Sequence, residues 1–241
     1  MLPAVRLRSA VALVGRYPVL AGADLDLDRG EVVVLRGANG AGKTSLLRVL
    51  AGLLPLVAGE ASVLGFDPGA EPRRLRPLVG LLGHRNGLYD DLSARENVRF
   101  AVRAARLGPG AVDGALDRLG LLGRLSEVPA GRLSAGQRRR VALACLVARA
   151  PKLWLLDEPH AGLDAEHRSL LDALLDEVAG AGASIVLASH EELPPELASR
   201  RTVHMAGGTV VEGPAAPVAP GTGHPAGVPV VPAGAEAPRV A

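Results

Sequence analysis

Residues Gly37-Ala38-Asn39-Gly40-Ala41-Gly42-Lys43-Thr44, followed by Ser45, satisfy G-x-x-x-x-G-K-[ST], a spacing that holds phosphate. Its glycines let successive backbone N–H groups converge on phosphate oxygens, with the positive end of the following helix behind them. Lys43 is placed to grip the β- and γ-phosphates of a nucleotide. The Thr44 hydroxyl is a hard oxygen ligand for Mg²⁺, which takes few ligands from protein. Far downstream, Lys152-Leu153-Trp154-Leu155-Leu156-Asp157-Glu158-Pro159 is an apolar run that carries two acids to its end. Asp157 is expected to hold the magnesium through a water, and Glu158 to orient or deprotonate the water that attacks the γ-phosphate. The plainer alternative makes one of these acids a helix N-cap. Between the two lies Leu133-Ser134-Ala135-Gly136-Gln137, in which Ser134 and Gln137 have the S-x-x-Q spacing of a capping box. A helix start is also an anion site, so Ser134 either closes a helix over residues 138–148 or meets a phosphate.

These groups need a scaffold that brings distant segments to one edge. From Arg6 to Met205, short β-branched runs alternate with helical patterns, which predicts an α/β domain with a largely parallel sheet. A strand over residues 31–36 runs into the glycine loop, and a helix follows from about Lys43 to Leu54, the context a phosphate loop requires. Ligands in such sheets bind at the carboxyl ends of strands, where Asp157 and Glu158 fall. Between about Asp67 and Gly131 strand runs disappear, and Arg, Leu and Ala at helical spacing predict a helical lobe inserted in the core. Ser93-Ala94-Arg95-Glu96 opens one of its helices with a capping box. From residue 213 to 241 the chain is Pro-, Ala- and Gly-rich and is expected to be a disordered tail.

At 241 residues and 48% hydrophobic content the chain has ample material for a core. Its net charge of +2 gives no field of the kind that nucleic-acid binding needs, so DNA and RNA are not expected partners. The single cysteine, Cys145, excludes an internal disulfide and reads as a buried small hydrophobe. No apolar run reaches the roughly 18 to 20 residues of a membrane span, and residues 1–10 lack a signal-peptide core. Trp154 reads as core, with no aromatic neighbours to make a stacking platform. The acids and histidines at 157–167 lack the cysteines or H-x-x-x-H spacing of a zinc cage.

Taken in order with Ala161-Gly162-Leu163-Asp164 and His190, these runs make the chain resemble the ATPase subunit of ATP-binding-cassette transporters over residues 6–212. The resemblance implies an α/β fold: a P-loop NTPase core with a mainly parallel sheet, an N-terminal antiparallel β portion and an inserted helical lobe. It implies ATP and Mg²⁺ as ligands, with Lys43, Glu158 and His190 catalytic and His190 sensing the γ-phosphate. It also implies that Ser134, Gly136 and Gln137 meet ATP held by a second subunit, so that a homodimer sandwiches two nucleotides, with Asp164 in the dimer-contact loop. The implied partners are integral membrane permease subunits, and the implied location is peripheral, on the cytoplasmic face of the cell membrane.

Within the family, Gly83-His84-Arg85 before Asp91-Leu92-Ser93, together with the run from Leu133 to Ala144, is similar to the haem-exporter ATPase of cytochrome c maturation. That branch typically has Gly-His-Gln, whereas this chain has Gly-His-Arg. The loop glutamine that reaches magnesium is therefore replaced, by His84 on ungapped matching or by its neighbour Arg85. The adenine-stacking aromatic is the second departure: its slot falls near Val14, and the candidate is Tyr17, which is equally readable as a hairpin-tip residue before Pro18. Alternatives within reach of the sequence are an exporter of drug or lipid type, a soluble switch protein built on the same cassette, and a cassette that binds ATP without turnover.

Overall fold

The computed structural model describes residues 3–190 and 200–211; the expected disordered tail lies outside the described residues. The chain opens with β1 (Val5–Val14) and β2 (Tyr17–Leu27), an antiparallel hairpin. Val5 and Leu7 face inward, Ser9 adopts φ 45° at a register shift, and Ala10 and Ala12 resume the inward face. This is a bulge that resets the period-2 pattern after one residue. The next elements are β3 (Val32–Arg36), α1 (Lys43–Leu50) and β4 (Ala58–Val63), the last pairing antiparallel with β1. Then come α2 (Pro72–Leu75), β5 (Val79–Leu82), α3 (Ala94–Ala104), α4 (Val112–Arg118) and α5 (Ala135–Arg149). The described chain closes with β6 (Leu153–Asp157), α6 (Ala165–Gly180), β7 (Ser184–Ala188), β8 (Arg201–Ala206) and β9 (Thr209–Val211).

Two sheets result: β2-β1-β4, wholly antiparallel, and β5-β6-β7-β3-β8-β9, parallel except for the β8–β9 hairpin. The strands β6 and β7 are buried at every residue because both faces of their sheet are covered. Leu153 and Leu155 pack with β1, β2 and α1 on one face, and Trp154 and Leu156 pack with α3 to α6 on the other. Leu35 of β3 and Asp157 of β6 both pair with Ala188 of β7. That single row sets the site, because the phosphate loop, Glu158 and His190 all emerge just beyond it at the carboxyl edge.

One expectation is corrected: residues 67–131 are not free of strand, since Val79–Leu82 is an edge strand of the main sheet. A four-residue run with Gly80 inside it carries almost no strand signal. Gly80 is there for packing, because a Cβ would lie 2.7 Å from Pro151 and 2.8 Å from Leu146 side-chain carbons. The helix expected to reach Leu54 stops at Leu50, where Gly52 turns at φ 66°. Ser93 caps α3 with both halves of the capping box formed, as its spacing predicts. Cys145 packs with the α3–α6 core, and burial pushes its thiol up to about 12, consistent with an inert small hydrophobe.

Candidate active site

The phosphate loop is shaped by what it is wedged against. Gly37 has φ 151° and Gly42 φ 107°. A Cβ at Gly37 would fall 2.4 Å from the Met205 carbonyl oxygen, and one at Gly42 2.6 Å from that of Val19. The loop thus lies directly on the start of β2 and on the β8–β9 hairpin, whose Gly208 N–H donates to Ala41 O at 3.1 Å. Within it, Lys43 is 7% exposed, and its Nζ donates to Gly37 O at 2.7 Å and Ala38 O at 3.1 Å. An ammonium has three N–H donors, so this arrangement holds the charge over the loop and leaves a donor for an anion.

Beside it stand the two acids. The Thr44 hydroxyl donates to Asp157 Oδ2 at 2.7 Å, which joins the two residues expected to hold magnesium, one in the first turn of α1 and the other at the end of β6. Glu158 has φ 48°, a left-handed backbone that a non-glycine residue adopts at a cost. Its N–H donates to Ala188 O at 2.9 Å. Its carboxylate accepts from the His190 N–H at 3.1 Å and lies 2.7 Å from His190 Nδ1. The N-cap alternative for these acids is set aside, since the following helix α6 is capped by Asp164, which accepts from the His167 N–H at 3.0 Å. That N–H and the His167 ring hold the Asp164 carboxyl below the usual range.

A cleft of about 490 Å³ runs over these groups, lined by Asn39, Gly40, Gly42, Lys43, Thr44, Ser45, Asp157 and Glu158, with Pro18, Val19, His84, Gly207 and Gly208 completing it. His84 lines the cleft, and Arg85 is not among its residues. Tyr17 is 79% exposed, pairs with Val14 at the end of the β1–β2 hairpin, and lies outside this wall. Ser134, Gly136 and Gln137 lie outside the cleft. Ser134 and Gln137 form a full capping box, with Gln137 N–H to Ser134 Oγ at 3.2 Å and Ser134 N–H to Gln137 Oε1 at 2.9 Å. A Cβ at Gly136 would meet the Gly162 carbonyl oxygen at 2.7 Å, so the start of α5 rests on the loop that leads to Asp164.

Two contributions escaped the sequence reading. Gly207 and Gly208 line the cleft from a hairpin far along the chain, and nothing local marks them. Arg139, one of three consecutive arginines, is 4% exposed and bonds to the carbonyls of Asp157 and Glu158 at 2.6 and 2.7 Å. A signal for it existed: Arg139 stands three, four and seven residues before the buried Ala142, Leu143 and Leu146, on the inward face of α5.

Known proteins share this chain's sequence pattern and fold. A family profile described as ABC transporter matches residues 20–161. The cytochrome c biogenesis ATP-binding export protein CcmA of Bordetella bronchiseptica is 46% identical over 187 residues, 76% of this chain and 83% of that protein. Its counterpart CcmA 2 of Cupriavidus metallidurans is 43% identical over 184 residues, 76% of this chain and 87% of its own. Among solved structures, an ATP-binding subunit of an ABC transporter superposes with a TM-score of 0.78 at 26% identity, covering 86% of this chain and 87% of that one. A dimeric ATP-binding cassette in a post-hydrolysis state, bound to ADP and Pi, has the same fold, with a TM-score of 0.75 at 24% identity, covering 86% and 96%. With the profile match spanning the phosphate loop, the Ser134 run and the paired acids, the chain belongs to the ABC transporter family, as an ATPase subunit.

Proposed function

We propose that this chain dimerises around two ATP molecules and drives an export permease in cytochrome c biogenesis, with haem as the cargo. The observation that carries the hydrolytic part is the row at the carboxyl edge: Lys43 over the loop carbonyls, Thr44 joined to Asp157, and Glu158 held by His190. The Thr44 hydroxyl and Asp157 carboxylate, 2.7 Å apart, are the donor set that magnesium prefers, hard oxygens beside a phosphate site. When bound there, the ion supplies charge neutralisation for the β- and γ-oxygens. Lys43 takes up the remaining phosphate charge. The Glu158 carboxylate orients the attacking water and receives its proton, while the His190 imidazole keeps that carboxylate aimed and faces the γ-phosphate.

Ser134, Gly136 and Gln137 lie outside the chain's own cleft, which favours the reading that they complete the site of a second copy. The relatives are named as cytochrome c biogenesis export proteins, which favours that role over a drug or lipid exporter or a soluble switch. Among the described residues no helix is long and apolar enough to cross a membrane, so the span is assigned to a partner. Its docking place is a groove of about 860 Å³ beside the loop of His84. Tyr89 and Phe100, half-exposed and stacked edge to face at 4.8 Å, lie in its wall with Leu53, Leu88 and the cations Arg73 and Arg149. This suits an apolar helix end with carbonyl or acidic groups. The chain is then peripheral, at the cytoplasmic face of the cell membrane.

The test is Glu158→Gln. Steady-state phosphate release should fall by about 10² or more, while size-exclusion chromatography with ATP shows an accumulated dimer. Unchanged release would overturn the role given to Glu158.

A further inference from the structure

Arg139 is a nearly fully buried cation that the hydrolytic scheme leaves without a task. All five of its N–H donors are used: Nη2 donates to Asp157 O and Glu158 O at 2.6 and 2.7 Å, Nε to Pro159 O at 3.3 Å, and Nη1 to Gly83 O and Asn86 Oδ1 at 2.7 and 3.1 Å. None of these acceptors is a carboxylate. Burial lowers the guanidinium to about 10, so it remains charged at neutral pH. An apolar side chain of similar volume would fill this space without desolvating a charge. The bonding pattern must therefore account for the arginine.

The pattern is specific. Three consecutive carbonyls, from Asp157 to Pro159, converge on one planar fork, and the middle residue is Glu158 with its left-handed φ of 48°. The peptide entering Glu158 is clamped on both sides, its C=O by Arg139 and its N–H by Ala188 O at 2.9 Å. A strained backbone persists only where its surroundings over-determine it; here Ala188 O takes the Glu158 N–H, the Ala161 N–H donates to Glu158 O at 3.1 Å, and Arg139 is the one side chain that bonds the carbonyls on both sides of the strained residue. The other edge of the fork holds Gly83 O and Asn86 Oδ1, the two residues that bracket His84 and Arg85.

We propose that Arg139 is a positioning residue for hydrolysis: its guanidinium fixes the backbone of Glu158 and ties it to both the 83–86 loop and the helix that begins at Ser134. The carboxylate is thereby aimed only when α5, β6 and the loop are in register. Movement of the loop, or of the helix start against another subunit, is felt at Glu158 through this one side chain. The inference rests on the reading of Glu158 as the residue that orients the attacking water.

The experiment uses the full chain with ATP and Mg²⁺, measuring kcat, KM, the Kd of a fluorescent ATP analogue and the thermal transition for Arg139→Met and Arg139→Lys, each alone and with Glu158→Gln. Arg139→Met should lower kcat at least about tenfold while Kd stays within about threefold of the parent, a loss of transition-state positioning rather than of binding. Arg139→Lys, which keeps the charge but offers one nitrogen in place of three, should fall between the two. In the Glu158→Gln background the Arg139 substitutions should change the residual rate by less than about twofold, since both act through one carboxylate. Should Arg139→Met lack a cooperative transition, Arg139→Lys carries the test. A parental kcat in either folded variant overturns the proposal, as does a further full fall in the Glu158→Gln background. A parental kcat for Glu158→Gln alone would instead remove the underlying reading.

Discussion

At the scale of single residues, the site depends on missing atoms as much as on present ones. A methyl group at Gly136 would sit 2.7 Å from the Gly162 carbonyl oxygen, a backbone atom with little room to retreat. Gly136→Ala should therefore push α5 off the loop before Asp164, at a cost of about 1 to 3 kcal/mol typical of overpacking. Phosphate release should drop at least about tenfold, while nucleotide affinity at the Lys43 cleft, read by a fluorescent analogue, stays within about threefold. Equal losses in both would show that Gly136 serves only folding. Residues marked by their neighbours in sequence were placed together beforehand: Lys43 with its glycines, and Asp157 and Glu158 at the end of an apolar run, do line one cleft. Gly207 and Gly208 were not legible, and for Arg139 only its inward face was, from its spacing to Ala142, Leu143 and Leu146; its carbonyl partners lie 18 or more positions away.

At the scale of elements, the same local chemistry opens two helices. Helices α3 and α5 each begin with a complete capping box, Ser93 with Glu96 and Ser134 with Gln137. Both were readable from spacing, because a capping box is local. Removing either hydroxyl should cost about 1 kcal/mol of stability. Ser93→Ala is expected to lose that alone and keep normal ATP turnover, whereas Ser134→Ala should lose turnover and the ATP-dependent dimer as well. Urea unfolding and phosphate release on the two variants check the contrast, and a normal rate in Ser134→Ala would reduce its serine to a cap. The strand β5 shows the opposite limit, since its glycine makes sense only once Pro151 and Leu146 are packed above it. Its identity is fixed by tertiary contact, and no window of sequence that short could supply it.

At the scale of the molecule, one parallel sheet gathers Lys43, Asp157, Glu158 and His190 from three neighbouring strands, with Leu35, Ala188 and Asp157 in a single row. The order of strands was not legible, although their alternation with helices and the use of their carboxyl edge were. The sheet leaves Ser134 and Gln137 outside the cleft that holds Lys43. This separation has a genetic consequence. On the proposed two-chain site, Lys43→Ala and Ser134→Ala fall on opposite halves, so co-expressed chains carrying one each should complement: the mixed dimer retains one undamaged pairing. Purified together they should recover phosphate release that neither shows alone, and silence in the mixture would mean that each chain works by itself.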